Sequence, residues 1–272
     1  MTLLAVDLKE GTKTVHAEVE RSKFVKYFFR GEITPATYGR FLVSLYHIYS
    51  ALEEALEKHK DNENVQLVYF PTELNRKEAL EEDLEFFNGP EWRDMLTTVS
   101  PAQKAYTDAI RRCSETKPEL LIAHTYVRYL GDLSGGQILA KKLQKYNDLP
   151  EGKGVAFYHF DRIENKNEFK EMFRIRLNQV EVDEATHKAI VEESCQAFVR
   201  NIDIFQEFDH ELEGLPLTKR EQEALDAAHA AETAAAHKAA AKATASGSIL
   251  SSLAPSNLLN SLASAVGLKT GA

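Results

Sequence analysis

Apolar residues along this chain recur at three- and four-residue intervals, and the runs are ended by helix caps, with no strand-like alternation. Phe24, Phe28 and Phe29 lead to a stop at Gly31, and Thr34-Pro35 reads as an N-cap followed by proline at the first helical position. From there Phe41, Leu42, Leu45, Ile48, Tyr49, Leu52 and Leu56 make one apolar stripe with acidic residues on the opposite face. Further helices are predicted from Thr72 to the stop at Asn88-Gly89-Pro90, from Pro101 to about Cys113, and from Pro118 to Tyr146. The stretch from Asn165 to Glu213 holds no Pro or Gly, and Val182-Asp183-Glu184 offers a fresh cap that splits it. The expected fold class is all-α.

The pattern changes near residue 220. Twelve of the twenty residues from Ala224 to Ala243 are alanine, which favours helix but leaves little to bury. From Ala243 to Leu268 there is no charged residue, yet Pro255, Asn257, Asn260 and the six serines between Ser248 and Ser264 make a poor membrane span. Leu258, Leu259, Leu262 and Val266 share one helical stripe. We therefore expect a globular domain over 1–220 and a tail over 221–272 that is flexible or weakly amphipathic, with at most weak peripheral membrane contact.

Composition narrows the functional classes. The net charge of −9 makes nucleic acid a poor partner, because phosphate binding needs a concentrated positive field. Two cysteines, Cys113 and Cys195, cannot build a disulfide scaffold, and no leader-like basic-then-apolar segment opens the chain. The expected location is cytoplasmic, and the expected state is a monomer.

Two short runs carry chemistry. Lys9, Lys13, His16 and Glu20 are spaced four, three and four apart, so they fall on one helix face. An imidazole there can ligate a metal through one ring nitrogen while the carboxylate a turn away orients the other. Two ammonium groups beyond it suit an anionic edge of the same ligand. The second run is Tyr126-Val127-Arg128-Tyr129-Leu130-Gly131-Asp132-Leu133-Ser134-Gly135-Gly136-Gln137. Three of the chain's thirteen glycines lie within six residues of a helix that resumes at once through Ile138, Leu139 and Leu143. Interior glycine costs about 1 kcal/mol relative to alanine, so the cluster needs a use, such as close approach of backbone to a flat ligand. Arg128 and Asp132 place a polar pair beside that opening.

The string Tyr129–Gln137 resembles the signature of the heme oxygenases of the eukaryotic, biliverdin-producing type. Ser44-Leu45-Tyr46-His47-Ile48-Tyr49, Tyr69-Phe70-Pro71-Thr72-Glu73-Leu74, and Lys170 with Arg174 match that family in order and approximate spacing, so the resemblance covers roughly residues 8–212. It implies a multi-helical bundle with heme b, substrate and cofactor at once, sandwiched between a proximal helix and a kinked, glycine-rich distal helix. His16 would be the axial iron ligand with Glu20 behind it. Lys9, Lys13, Tyr126, Lys170 and Arg174 would hold or flank the propionates. Gly131 and Gly135 would form the distal wall, and Asp132, Tyr49, Arg128 and Asn201 a hydrogen-bonded network acting through ordered water. The implied reaction consumes dioxygen and electrons from NADPH, delivered by a flavoprotein reductase, and opens the ring at the α-meso carbon to biliverdin, carbon monoxide and ferrous iron. Lys141, Lys145 and Arg176 fall near the family's docking surface for that reductase.

The resemblance implies a place at the cytoplasmic face of the endoplasmic reticulum for membrane-bound members, but two departures stand out: the tail lacks their strongly apolar anchor, and Gly11 between the two lysines is expected to fray the first helix. The rival readings are a heme-sequestering protein on the same fold, disfavoured by the retained Asp132, and a di-iron protein built on Glu184/His187 and Glu207/His210. The latter pairs are 23 residues apart on one Pro- and Gly-free stretch, about 35 Å at 1.5 Å per residue, and cannot converge.

Overall fold

A computed structural model describes residues 3–212; the expected boundary at 220 and the tail over 221–272 lie outside the described residues. Among the described residues every regular element is helical: α1 (Leu4–Arg21), α2 (Lys23–Arg30), α3 (Pro35–Lys58), α4 (Pro71–Leu74), α5 (Lys77–Asn88), α6 (Pro101–Thr116), α7 (Leu121–Gly131), α8 (Gln137–Tyr146), α9 (Lys166–Leu177) and α10 (Glu184–Glu207). The fold is the all-α bundle expected.

Local chemistry sets most of the boundaries. Thr34 Oγ1 accepts from the backbone N–H of Thr37 at 3.1 Å ahead of Pro35, and Asp183 Oδ1 accepts from Thr186 N at 2.7 Å to open α10. Gly31 closes α2 at φ 75°, and a Cβ there would also stand 2.1 Å from the Tyr146 ring. Two expected helices are interrupted. The one from Thr72 breaks at Asn75-Arg76, where the buried Glu53 carboxylate accepts the backbone N–H of Arg76 and of Lys77 and caps α5. The one from Pro118 changes winding at Asp132–Gly136, a single π-helical turn between α7 and α8. Its freed Asp132 carbonyl accepts the Gln137 side-chain amide at 3.0 Å.

The core forms around α3, whose Leu42, Leu45, Ile48, Tyr49, Leu52 and Leu56 are almost wholly buried against α5, α6 and α7. Phe24, Phe41, Phe205 and Phe208 seal one end, Phe24 stacking on Phe205 at 4.9 Å. The helix α1 packs along α10, and α10 in turn packs on α7. The expected fraying at Gly11 does not occur: α1 is continuous from Leu4 to Arg21. The glycine instead permits close helix packing, because a Cβ at that position would lie 2.5 Å from Val191 Cγ1 on α10.

Candidate active site

The helix α1 carries Lys9, Lys13 and His16 on one exposed face, as their spacing requires. His16 Nδ1 lies 3.6 Å from Glu20 Oε1, and the ring sits edge-on to Phe198 of α10 with centroids 5.5 Å apart. The imidazole is 54% exposed, and its Nε2 has no partner among the described residues. Neither lysine has an ion-pair partner among them.

Three other elements bring polar groups to the same region. The Tyr126 hydroxyl of α7 lies near Thr12 of α1 and the Arg174 charge of α9; burial pushes its pKa up, against the lowering pull of both. Lys170, one turn before Arg174, reaches Ser134 Oγ in the π-helical turn at 3.5 Å. Arg174 pairs with Glu171 on its own helix. Thr12, Ser134 and Phe198 have no motif in the sequence, because each is an ordinary helix residue that matters only through a neighbour distant along the chain.

The π-helical turn presents a stretch of bare backbone. Gly131 and Gly135 are exposed, and nothing stands within 4 Å of where a Cβ would be at either position. The open space beside both glycines fits a flat ligand lying against backbone. Gly136, by contrast, faces the Tyr158 ring at 3.1 Å and packs inward.

Behind this turn lies a buried polar chain. The Tyr49 hydroxyl donates to Asp132 Oδ2, Arg128 Nε donates to the same hydroxyl at 3.2 Å, and Arg128 Nη1 donates to Asn201 Oδ1 at 2.7 Å. Arg128 Nη2 stands 3.9 Å from Asp132 Oδ1. Tyr49 is wedged between Tyr129 and Phe157, and the Phe157 backbone N–H is held by buried Asp83 at 2.8 Å. Burial raises the Asp132 carboxyl above its usual range, opposed by the Arg128 charge, the Tyr49 hydroxyl and the Arg76 charge. Burial alone would lower the Arg128 pKa, but its interactions with Tyr49 and Asp132 more than reverse it. The guanidinium therefore stays charged, while the carboxyl can hold a proton nearer neutrality than a surface aspartate.

The di-iron alternative fails on these positions. His187 Nε2 pairs with Asp7 Oδ2 at 2.8 Å, and Glu207 caps α6 by accepting the Ala102 N–H at 2.8 Å, at opposite ends of α10.

An imidazole with one nitrogen oriented and the other open faces cations suited to carboxylates. The bare backbone of the π-helical turn is backed by a buried chain of hydrogen-bonded polar groups. This combination defines a helical, oxygen-handling heme protein. Comparison with known proteins makes the assignment specific. The family model described as heme oxygenase matches residues 2–207, and the chain belongs to the heme oxygenase family, enzymes that cleave heme to biliverdin. It is 44% identical over 205 residues to heme oxygenase 1 of Homo sapiens, covering 75% of this chain and 71% of that one. The fold is similar to that of heme oxygenase-1 from the cyanobacterium Synechocystis in complex with heme, at TM-score 0.74 and 44% identity over 78% of this chain and 94% of that one. The heme oxygenase of Leptospira interrogans matches at TM-score 0.72 and 45% identity over 76% of this chain and the whole of that one. No helix among the described residues is long and apolar enough to cross a membrane.

Proposed function

We propose that the protein, through its domain 1–220, opens heme at the α-meso carbon to biliverdin, carbon monoxide and ferrous iron, using dioxygen and electrons from an NADPH-dependent flavoprotein reductase. The observation that carries this reading is the buried Asp132–Tyr49–Arg128–Asn201 chain directly behind the open Gly131/Gly135 wall. A protein that merely sequesters heme has no use for a buried, proton-holding carboxyl at that place.

His16 would hold the iron through Nε2, with Glu20 orienting the ring from Nδ1. Lys9, Lys13, Tyr126, Lys170 and Arg174 would take the two propionates, cations and a hydroxyl meeting carboxylates. Heme, when bound, supplies the redox-active iron and the porphyrin ring that is oxidised. Gly131 and Gly135 leave room against the wall and keep side-chain acids out of it. Asp132 would pass protons through ordered water, while Arg128, Tyr49 and Asn201 fix the orientation of its carboxyl. This indirect delivery supplies protons without pressing a strong acid against the reacting centre. Lys141 and Lys145 on α8 and Arg176 on α9 are exposed, which supports docking of an acidic reductase there.

The test is optical. Full-length protein with hemin is expected to give a sharp Soret band, which is replaced by a bilin spectrum when reductase, NADPH and oxygen are added. A stable Soret band without bilin reduces the protein to a heme binder, and no Soret band ends the reading altogether. His16→Ala is expected to lose the axial bond and turnover while keeping part of the heme affinity. Normal turnover by that variant would refute the ligand assignment.

A further inference from the structure

On the far side of the Arg128 network, three helices bring together a group of side chains that the reaction above does not use. Cys113 of α6, His124 of α7 and Glu193 of α10 place one sulfur, one ring nitrogen and one carboxylate oxygen within 4.8 Å of one another. Cys113 Sγ lies 3.8 Å from His124 Nε2, and the same nitrogen lies 3.3 Å from Glu193 Oε1. A tetrahedral zinc ion, bonded at about 2.3 Å to sulfur and about 2.0 Å to nitrogen and oxygen, holds such atoms roughly 3.6 Å (S–N) and 3.3 Å (N–O) apart. Two sides of the triangle are therefore already close to the size that such an ion requires, and the third, from sulfur to carboxylate oxygen, closes within 4.8 Å.

The chemistry of the three groups agrees. Cys113 and His124 are 1% and 0% exposed, and burial keeps the imidazole neutral, the form that ligates. Among the described residues His124 Nδ1 has no hydrogen-bond partner, so the ring's polar company there is at Nε2, where the thiol and the carboxylate meet. Glu193 Oε1 also accepts from Arg200 Nη1 at 2.8 Å, and Arg112 Nη2 stands 3.9 Å from Oε2. A carboxylate offers about four lone-pair sites, so these contacts leave room for a further bond. Arg112 is largely exposed and Glu193 partly so, which places the entry route on that side.

We propose that Cys113, His124 and Glu193 form a buried site for a zinc-class divalent cation that clamps α6, α7 and α10 together behind the distal network. A thiolate, an imidazole and a carboxylate suit zinc better than magnesium or calcium, which prefer oxygen ligands alone. Burial and the Glu193 charge push the free Cys113 thiol up to about 12, so binding must displace its proton, and each ion bound releases about one proton. His124 lies one turn before Arg128, so an occupied site would stiffen the helix that carries the network.

The experiment uses the full, untagged chain, reduced and without added heme, with zinc or cobalt(II) as the only probe. One zinc per chain is expected by calorimetry, with buffer-dependent heat that reports the released proton. Cobalt(II) is expected to give a thiolate-to-metal charge-transfer band with tetrahedral ligand-field intensity. Cys113→Ala should abolish the band and Cys195→Ala should leave it, while Glu193→Gln weakens binding about tenfold with the band retained. Absence of the band in the unmodified chain overturns the proposal, and so does a band that survives Cys113→Ala or is lost with Cys195→Ala. Should Cys113→Ala fail to fold, the cobalt spectrum of the unmodified chain decides alone.

Discussion

Asp132 and His16 would stand on opposite sides of one ligand, and their surroundings differ in kind. Asp132 is 8% exposed and tied to Tyr49 and Arg128, which is tied in turn to Asn201. His16 is 54% exposed, and its one ion-pair partner among the described residues is Glu20, on its own helix. A group that must deliver a proton to a fixed point gains from being held by the fold before the ligand arrives. A group that will bond the ligand is fixed by that bond, and can wait in water. On the proposed reading, the distal side would be built by folding and the proximal side completed by binding.

Four experiments strain this comparison, in decreasing order of effect. Asp132→Ala should lower the rate of bilin formation about 100-fold or more while Soret titration shows little change in heme affinity. A parallel loss of affinity would mean that the distal chain holds the ligand as well as handling protons. On the proximal side, Gly11→Ala forces a Cβ to 2.5 Å from Val191 Cγ1 and should cost about 1–3 kcal/mol in urea denaturation. No loss would show that α1 can slide on α10 without penalty.

The third experiment varies pH. Burial pushes the Glu53 carboxyl up to about 7, against the backbone N–H groups of Arg76 and Lys77. Between the usual carboxylate pKa and about 7 the folded protein keeps a proton that the unfolded chain releases. This group's contribution to stability is therefore full below that range and lost as pH rises through 7, by at most about 1.4 kcal/mol per pH unit. Melting temperatures across pH 5–8 should fall less steeply in Glu53→Gln. Some slope should remain, because Asp83, raised to about 6 by burial, acts with the same sign. The smallest effect is expected at Gly131, where the backbone is helical and nothing lies within 4 Å of the missing Cβ. Gly131→Ala should stabilise the heme-free protein by up to about 1 kcal/mol and weaken heme binding, measured by melting and by Soret titration. Stabilisation without loss of affinity would remove Gly131 from the wall.

The sequence made the helices legible wherever a cap or a glycine carried the signal: Thr34-Pro35, Gly31 and Asp183 each bound an element as expected. It was silent at Ser22, whose Oγ caps α2 through Val25 N at 3.3 Å with no break in apolar spacing beforehand. It was silent too at Asn75-Arg76, where the cap is Glu53, more than twenty positions upstream. In the site, Arg128 with Asp132, and His16 with Glu20, follow from helical spacing. Tyr49 and Asn201 do not, because they meet Arg128 across 79 and 73 residues and no local pattern encodes that meeting. Resemblance supplied them. The Cys113–His124–Glu193 group lay outside both routes, since its members join across three helices and belong to no motif.

The π-helical turn at Asp132–Gly136 does more than open a wall. Each residue added to or removed from a helix rotates everything after it by about 100°. Deleting one residue of this turn, Ser134 for instance, would swing α8 by that angle, carrying buried Ala140 and Leu143 out of the core and Lys141 and Lys145 towards it. The turn is a phase-setter. Its five residues fix which way the basic outer row of α8 faces relative to Asp132 at the head of the turn.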